Sequence, residues 1–377
     1  MHARADADAD AATGGGLRVE DVSFARGSRN VLERISFGAA RGRLVAVLGP
    51  SGAGKSTLLA LLAGFEQPTS GRIGFDGADW APMKPVERDV GVSFDDAALH
   101  EHLTARENLD LAAQPLGESR AARQARIDGL ARALGIEPLL ARRPASLSAG
   151  ERRRVSLGRA FVRRPKLALL DEPFANLDRA NRFAVRALIR ELQRTSGATT
   201  LVVTHDPTDA LSIADDLLVL VDGRVRAFGP ALAVAARPAD LEIAGLVDDL
   251  GMESLALVGG KPPAGCKFSP ELAASIGRRL ASHGARDARL GVSPWRLSLA
   301  RADGPASGCT IDAALEAREP AGEFVDLIVR LASGDALRAR VRGVDAQELP
   351  TGAHVRLAAR IEDIHLFRGE PQGKRLD

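Results

Sequence analysis

The chain has 377 residues, 45% of them hydrophobic and 27% charged, proportions ordinary for a folded globular protein that exclude a disordered, collagenous or fibrous chain. That length favours two domains over one. With 51 Lys and Arg against 49 Asp and Glu the net charge is only +2, so nothing in the balance calls for nucleic acid or an anionic membrane as the main partner.

In chain order, residues 1–16 alternate Asp with Ala and end on three glycines; they are expected to form a disordered tail, and they lack the apolar stretch of a secretory signal. Residues 17–236 then alternate β-rich runs with helical ones. Leu44–Leu48 and residues 167–170, 200–203 and 217–221 are continuous apolar runs, as expected of parallel strands with helices on both sheet faces. Asp222-Gly223 after the last run marks a tight hairpin. Between the strands, Val185, Leu188, Ile189 and Leu192 form one helical stripe of core packing. Residues of about 96–160 read as a helical subdomain, with a capping box at Thr104 and Glu107 and helix formers at 121–134. Beyond Arg237-Pro238 the pattern changes to short strands, among them Leu290-Gly291-Val292, Phe324–Leu331, residues 337–341 and His354–Ala359, so 237–377 is expected to be a second, β-rich domain. No window reaches the roughly 18 consecutive apolar residues of a membrane helix; other chains must do any crossing. Cys266 and Cys309 have no CxxC spacing and fit a reducing, cytoplasmic setting.

Three places carry chemistry. Gly49-Pro50-Ser51-Gly52-Ala53-Gly54-Lys55-Ser56-Thr57 matches G-x-x-x-x-G-K-[ST] directly after a strand and before a helix. Glycines there let successive N–H groups hold phosphate oxygens at a helix N-terminus, Lys55 adds charge at the β/γ-phosphates, and Ser56 offers a hydroxyl to Mg²⁺. The apolar run before Asp171 and Glu172 ends at the sheet edge where open α/β sheets hold ligands. Asp171 can reach Mg²⁺, while Glu172 can polarise water for attack on the γ-phosphorus. His205 ends another strand on the same edge and can contact the γ-phosphate. Ser148-Ala149-Gly150-Glu151 opens a helix with capping-box spacing.

These motifs, together with Ala175-Asn176-Leu177-Asp178, occur in the order and spacing of a known family: the chain resembles the ATP-binding subunit of an ABC transporter. The resemblance implies an α/β P-loop NTPase core with a helical subdomain, followed by a smaller OB-fold-like domain. It also implies ATP and Mg²⁺ as ligands. In the family the helix end at Ser148, Ala149, Gly150 and Glu151 closes on the γ-phosphate held by a second ATPase subunit, and the loop carrying Asp178 lines that interface. The expected partners are that second subunit (the same chain or a related one), transmembrane permease subunits and, indirectly, an extracytoplasmic solute-binding protein. The expected location is peripheral, on the cytoplasmic face of the cell membrane. The second domain, through Ser293-Pro294-Trp295-Arg296, residues 319–323 and His365-Leu366-Phe367, resembles the regulatory domain of sugar and glycerol-phosphate importer ATPases. With aromatics at 4% of the chain and no base-stacking surface, a nucleic-acid partner is not expected.

The chain departs from the family at several positions. Asp95 stands where a metal-touching glutamine is usual, and its carboxylate adds charge beside Asp171 and Glu172. Arg26 stands where an aromatic covers adenine; a guanidinium can stack on a purine, with Phe24 as the other candidate. Ala149 replaces a glycine, and Glu151 replaces a glutamine and adds negative charge. The alternative function is a regulatory nucleotide switch of the same fold with impaired hydrolysis, which basal ATPase turnover would separate.

Overall fold

The computed structural model describes residues 15–94, 99–114, 118–300, 308–346, 349–370 and 373–376. The chain divides into two compact units, Met1–Val234 and Ala235–Asp377. The first contains β1 (Gly16–Arg26), β2 (Arg29–Ala40), β3 (Leu44–Leu48), α1 (Lys55–Ala63), β4 (Ser70–Phe75), β5 (Ala78–Asp79), β6 (Val90–Ser93), α2 (Ala105–Ala113), α3 (Arg120–Leu134) and α4 (Ala149–Phe161). It continues with β7 (Leu167–Asp171), α5 (Arg179–Ser196), β8 (Thr199–Thr204), α6 (Pro207–Ile213), β9 (Asp216–Val221) and β10 (Arg224–Pro230).

Its central sheet runs β10-β9-β3-β8-β7-β6, parallel except where β10 returns beside β9. Every residue of β3, β7 and β8 is buried, which is why these strands read as unbroken apolar runs rather than alternating ones. The β9–β10 turn has both Asp222 (φ 47°) and Gly223 (φ 70°) in the left-handed region, the pattern of a two-residue hairpin whose twist matches its strands. Val185, Leu188, Ile189 and Leu192 of α5 are all buried. A second sheet, β2-β1-β4-β5, is antiparallel throughout. The sequence reading expected a largely parallel core and did not separate out this layer, because its strands alternate in burial and are punctuated by bulges. Gly16, expected in the tail, already pairs with Ala40; the rest of the tail up to residue 14 lies outside the described residues.

Between β6 and β7 the elements among the described residues are helices joined by short turns. Thr104 caps α2, accepting from the Glu107 N–H while Glu107 reaches back to the Thr104 N–H at 2.7 Å, so both ends of the capping box are made. Leu109, Ile127, Ala131, Leu134 and Val155 pack into one buried cluster with Leu170 and Ile189.

The second unit contains α7 (Leu241–Val247), β11 (Glu253–Leu257), β12 (Cys266–Phe268), α8 (Pro270–Ser282), β13 (Ala288–Val292), β14 (Ser298–Leu299), β15 (Cys309–Ala321), β16 (Phe324–Leu331), β17 (Ala336–Arg342), β18 (His354–Ala359) and β19 (Ile364–Arg368). A three-stranded sheet β11-β13-β19 and a larger sheet β14-β18-β15-β16-β17, with β12 on β15, enclose Leu290, Ile311, Leu327, Val329 and Leu357. Helix α8 was not anticipated among the short strands. Its signal was present: Ser269 caps it, Pro270 occupies its first turn, and Leu272, Ile276 and Leu280 recur every fourth residue on its buried side.

Candidate functional site

Strand register assembles the site. Leu48 pairs with Thr204, and Asp171 pairs with Val203, so the loop after β3, His205 after β8, and Asp171 and Glu172 at the end of β7 all open on one edge of the sheet. The loop after β3, the β1–β2 turn and the end of β7 enclose a cleft of about 490 Å³ lined by Arg26, Arg29, Ser51, Gly52, Gly54, Lys55, Ser56, Thr57, Asp171 and Glu172; His205 is not part of that lining and joins it through Glu172. A hollow of about 480 Å³ on the outer antiparallel sheet, between Arg18, Arg72 and Asp76, holds none of these groups.

The loop after β3 needs its glycines for two reasons. Gly52 (φ 81°) and Gly54 (φ 100°) occupy backbone that side chains disfavour. Gly49 is held by a close approach instead, since an added Cβ would lie 2.0 Å from the Leu220 carbonyl oxygen. Ala53 is buried in the core and supports the loop from behind, Pro50 is exposed outside the cleft lining, and Ser51, Ser56 and Thr57 line the cleft. The Lys55 Nζ donates to the carbonyls of Gly49 (2.8 Å) and Pro50 (2.9 Å). Burial pushes the Lys55 amine below its ordinary pKa, and the nearby Glu172 and Asp171 carboxylates partly restore it. A buried ammonium at the first turn of a helix, among inward N–H groups, is an anion site.

Asp171 is 7% exposed at the last position of β7. The next residue, Glu172, turns into left-handed backbone (φ 45°) and is tied by its N–H to the Val203 carbonyl at 3.0 Å. That turn swings its carboxylate across to β8, where Oε1 lies 2.9 Å from the His205 Nδ1. Glu172 is largely covered and His205 largely exposed.

The other expected residues lie elsewhere. Ser148, Ala149, Gly150 and Glu151 form the N-terminal end of α4 and do not line this cleft. The Ser148 Oγ accepts from the Glu151 N–H at 3.3 Å, and the Glu151 carboxylate accepts from the Ser148 N–H at 2.7 Å. These bonds from Ser148 hold the Glu151 carboxyl below the usual range. The negative charge that Glu151 adds is therefore engaged by the helix cap, as its capping-box spacing predicts. Asp178 caps α5, accepting from the Asn181 N–H and side chain at 2.8 Å each, and is also outside the cleft lining. Asp95 lies outside the described residues. Just before it, the Phe94 carbonyl accepts from Arg153 of α4 at 3.2 Å, and Ser93 shares a buried 2.8 Å hydrogen bond with Ser156. Phe94 and Phe65 pack at 5.9 Å between ring centroids, yet are 39% and 55% exposed.

Phe24 is a buried core residue, which leaves Arg26 as the candidate over the base; its guanidinium meets Glu66 at 3.3 Å. Arg29 was missed. It sits directly opposite Arg26 across the hairpin turn, and the two-residue spacing of Gly27-Ser28 was the signal that could have found it.

The ABC transporter family profile matches residues 32–175, and the TOBE domain profile matches residues 290–367. The sn-glycerol-3-phosphate import ATP-binding protein UgpC 3 of Rhizobium etli is 35% identical over 363 residues, 96% of this chain and 99% of that protein. This chain belongs to the ABC transporter ATP-binding subunits. Among its relatives, the sn-glycerol-3-phosphate import ATP-binding protein UgpC 1 of Rhizobium johnstonii is 42% identical over 239 residues, 63% of this chain and 65% of that protein. Among solved structures, cbiO1 from Clostridium perfringens, described as part of the ABC transporter complex cbiONQ, superposes with a TM-score of 0.54 at 29% identity, over 59% of this chain and 90% of cbiO1. The chain is thus an ATP-hydrolysing ABC importer subunit, with a P-loop core and a β-rich, OB-fold-like TOBE unit. Among the described residues no helix is long and apolar enough to cross a membrane.

Proposed function

We propose that this ABC subunit binds ATP with Mg²⁺ in the cleft, closes head to tail on a second ATPase subunit, and drives a pair of permease proteins on the cytoplasmic face of the membrane. The observation that carries the reading is the 2.9 Å contact between Glu172 and His205 at the same sheet edge as Lys55. The N–H groups of the glycine loop and the Lys55 ammonium hold the triphosphate. Glu172 takes a proton from water as the water oxygen joins the γ-phosphorus and the bond to ADP breaks. His205 orients that water and contacts the γ-phosphate. Arg26, with Arg29 beside it, covers the base.

The donor set suits a hard divalent ion, with the Ser56 hydroxyl and the Asp171 carboxylate both on the cleft wall. When bound, Mg²⁺ would neutralise charge on the β- and γ-phosphates. Asp95 is proposed as a further metal contact. Because Ser148, Ala149, Gly150 and Asp178 do not line the cleft of their own chain, we assign them to the phosphate held by the second subunit. That subunit is a second copy of this chain or a related one. The exposed Phe65 and Phe94 rings supply an apolar contact for a permease subunit. The TOBE unit and the relatives named for sn-glycerol-3-phosphate import favour a sugar-related solute, delivered by an extracytoplasmic binding protein.

The test compares wild type, Glu172→Gln and His205→Ala for ATP hydrolysis and for uptake of labelled sn-glycerol-3-phosphate in cells relying on this subunit. Both variants are expected to bind nucleotide but lose turnover and uptake. Turnover retained in both would refute the assignment; turnover lost with uptake of that solute intact would refute the solute.

A further inference from the structure

Behind His205 lies a charge cluster that the chemistry above does not use. Arg182, in the first turn of α5, donates from Nη1 to Asp206 Oδ2 at 2.6 Å and Asp209 Oδ2 at 3.2 Å, and from Nε to the Leu177 carbonyl at 3.2 Å. Asp206 follows His205 directly. It also caps α6, accepting from the N–H groups of Thr208 (2.8 Å) and Asp209 (3.2 Å). Leu177 belongs to the segment that leads from Glu172 to α5. One guanidinium therefore holds both pieces of chain that carry the hydrolytic pair.

The Glu172 side needs holding. Between β7 and α5 two non-glycine residues, Glu172 (φ 45°) and Asn176 (φ 59°), are in left-handed backbone, which persists only where the surroundings over-determine it. The ties are the Glu172 N–H to the Val203 carbonyl (3.0 Å), the Ala175 N–H to the Glu172 carbonyl (3.1 Å), and Arg182 on the carbonyl of Leu177 (3.2 Å). The first two fix the near end of the segment; at its far end Asp178 caps α5 by accepting from Asn181, and Arg182 is the tie there that also reaches Asp206 beside His205. Simple pairing of α5 with α6 does not require Arg182, because Arg186 already meets Asp209 at 3.5 Å and Ser212 at 3.0 Å.

We propose that Arg182 is a positioning residue for ATP hydrolysis, setting the contact between Glu172 and His205 by bridging Leu177 to Asp206 and Asp209. This rests on the reading of Glu172 and His205 as the hydrolytic pair. The bridge depends on a planar fork whose Nε and Nη1 point to different partners. A lysine ammonium keeps the charge facing Asp206 and Asp209 but not that divergent geometry.

The experiment uses the full-length chain as wild type, Arg182→Lys, Arg182→Ala and His205→Ala, measuring steady-state ATP hydrolysis, binding of a fluorescent ATP analogue and thermal melting. Arg182→Lys is expected to melt with wild type and bind the analogue equally well, while kcat falls about 10- to 100-fold, as for a reacting group displaced by a fraction of an ångström to one ångström. Arg182→Ala should show a similar loss of kcat together with a lower melting temperature. Wild-type kcat in Arg182→Lys would overturn the proposal and reduce Arg182 to a charge partner of Asp206 and Asp209; wild-type kcat in Arg182→Ala would overturn it outright. Retained turnover in His205→Ala would instead refute the underlying reading of the pair.

Discussion

Gly150→Ala separates what the end of α4 does for folding from what it does for ATP. Gly150 lies in the first turn of α4, and a Cβ added there meets nothing within 4 Å. Folding should gain, since alanine is favoured over glycine in a helix by about 0.5 to 1 kcal/mol. For a unit of this size that raises the melting temperature by about 1 to 4 °C. Hydrolysis should move the other way. If a phosphate held by the neighbouring subunit approaches the free N–H groups of this helix end, a methyl group on that surface keeps it at a distance, and turnover should fall at least about tenfold through misplacement of the reacting group. Differential scanning fluorimetry and phosphate release read the two effects on one sample. A raised melting temperature with unchanged hydrolysis would show that the α4 end does not meet nucleotide; a lowered melting temperature would show that the space beside Gly150 is not open.

Gly49→Ala is the opposite case: the new Cβ would press at 2.0 Å on the Leu220 carbonyl oxygen, a backbone atom that cannot rotate away, at a cost of about 1 to 3 kcal/mol or more. Melting of the first unit should drop and nucleotide binding weaken, and wild-type values for both would refute the close-packing argument. Replacing Ser148 with Ala removes the acceptor for the Glu151 N–H and should destabilise by about 1 kcal/mol, read by urea unfolding; no loss would mean that water caps the helix equally well. In the second unit, burial pushes the Cys266 thiol up to about 12 and the Cys309 thiol up to about 11. The folded state then keeps these protons at pH values where the unfolded state has released them, so stability falls as pH rises from about 9 towards 11 or 12. Urea midpoints at pH 8 and 10.5 should differ less in a Cys266→Ser, Cys309→Ser double variant than in wild type; equal differences would refute the assignment to the thiols.

The nucleotide core was legible because its chemistry is tied to local sequence. A glycine loop between a strand and a helix, and a strand ending in Asp171 and Glu172, announce themselves without tertiary knowledge. Capping boxes at Thr104 and Ser148 were likewise local, and both are made. What escaped detection depends on contacts between distant segments. Arg29 matters only because the hairpin sets it opposite Arg26 at the cleft, and Arg182 only because α5 brings it 24 residues back from Asp206. The antiparallel outer sheet was hidden for a related reason: half-buried, bulged strands have a weaker pattern than fully buried ones. Helix α8 is different, because its cap and its spacing were present and were outweighed by the glycine- and proline-rich sequence around it.

The Phe65 and Phe94 rings carry a consequence for the cell as well as for the complex. Two packed aromatic rings open to water form an apolar spot that the proposed permease contact would cover. On the permease contact proposed above, overproduction of this subunit alone should yield self-association that polar replacements at these two rings relieve.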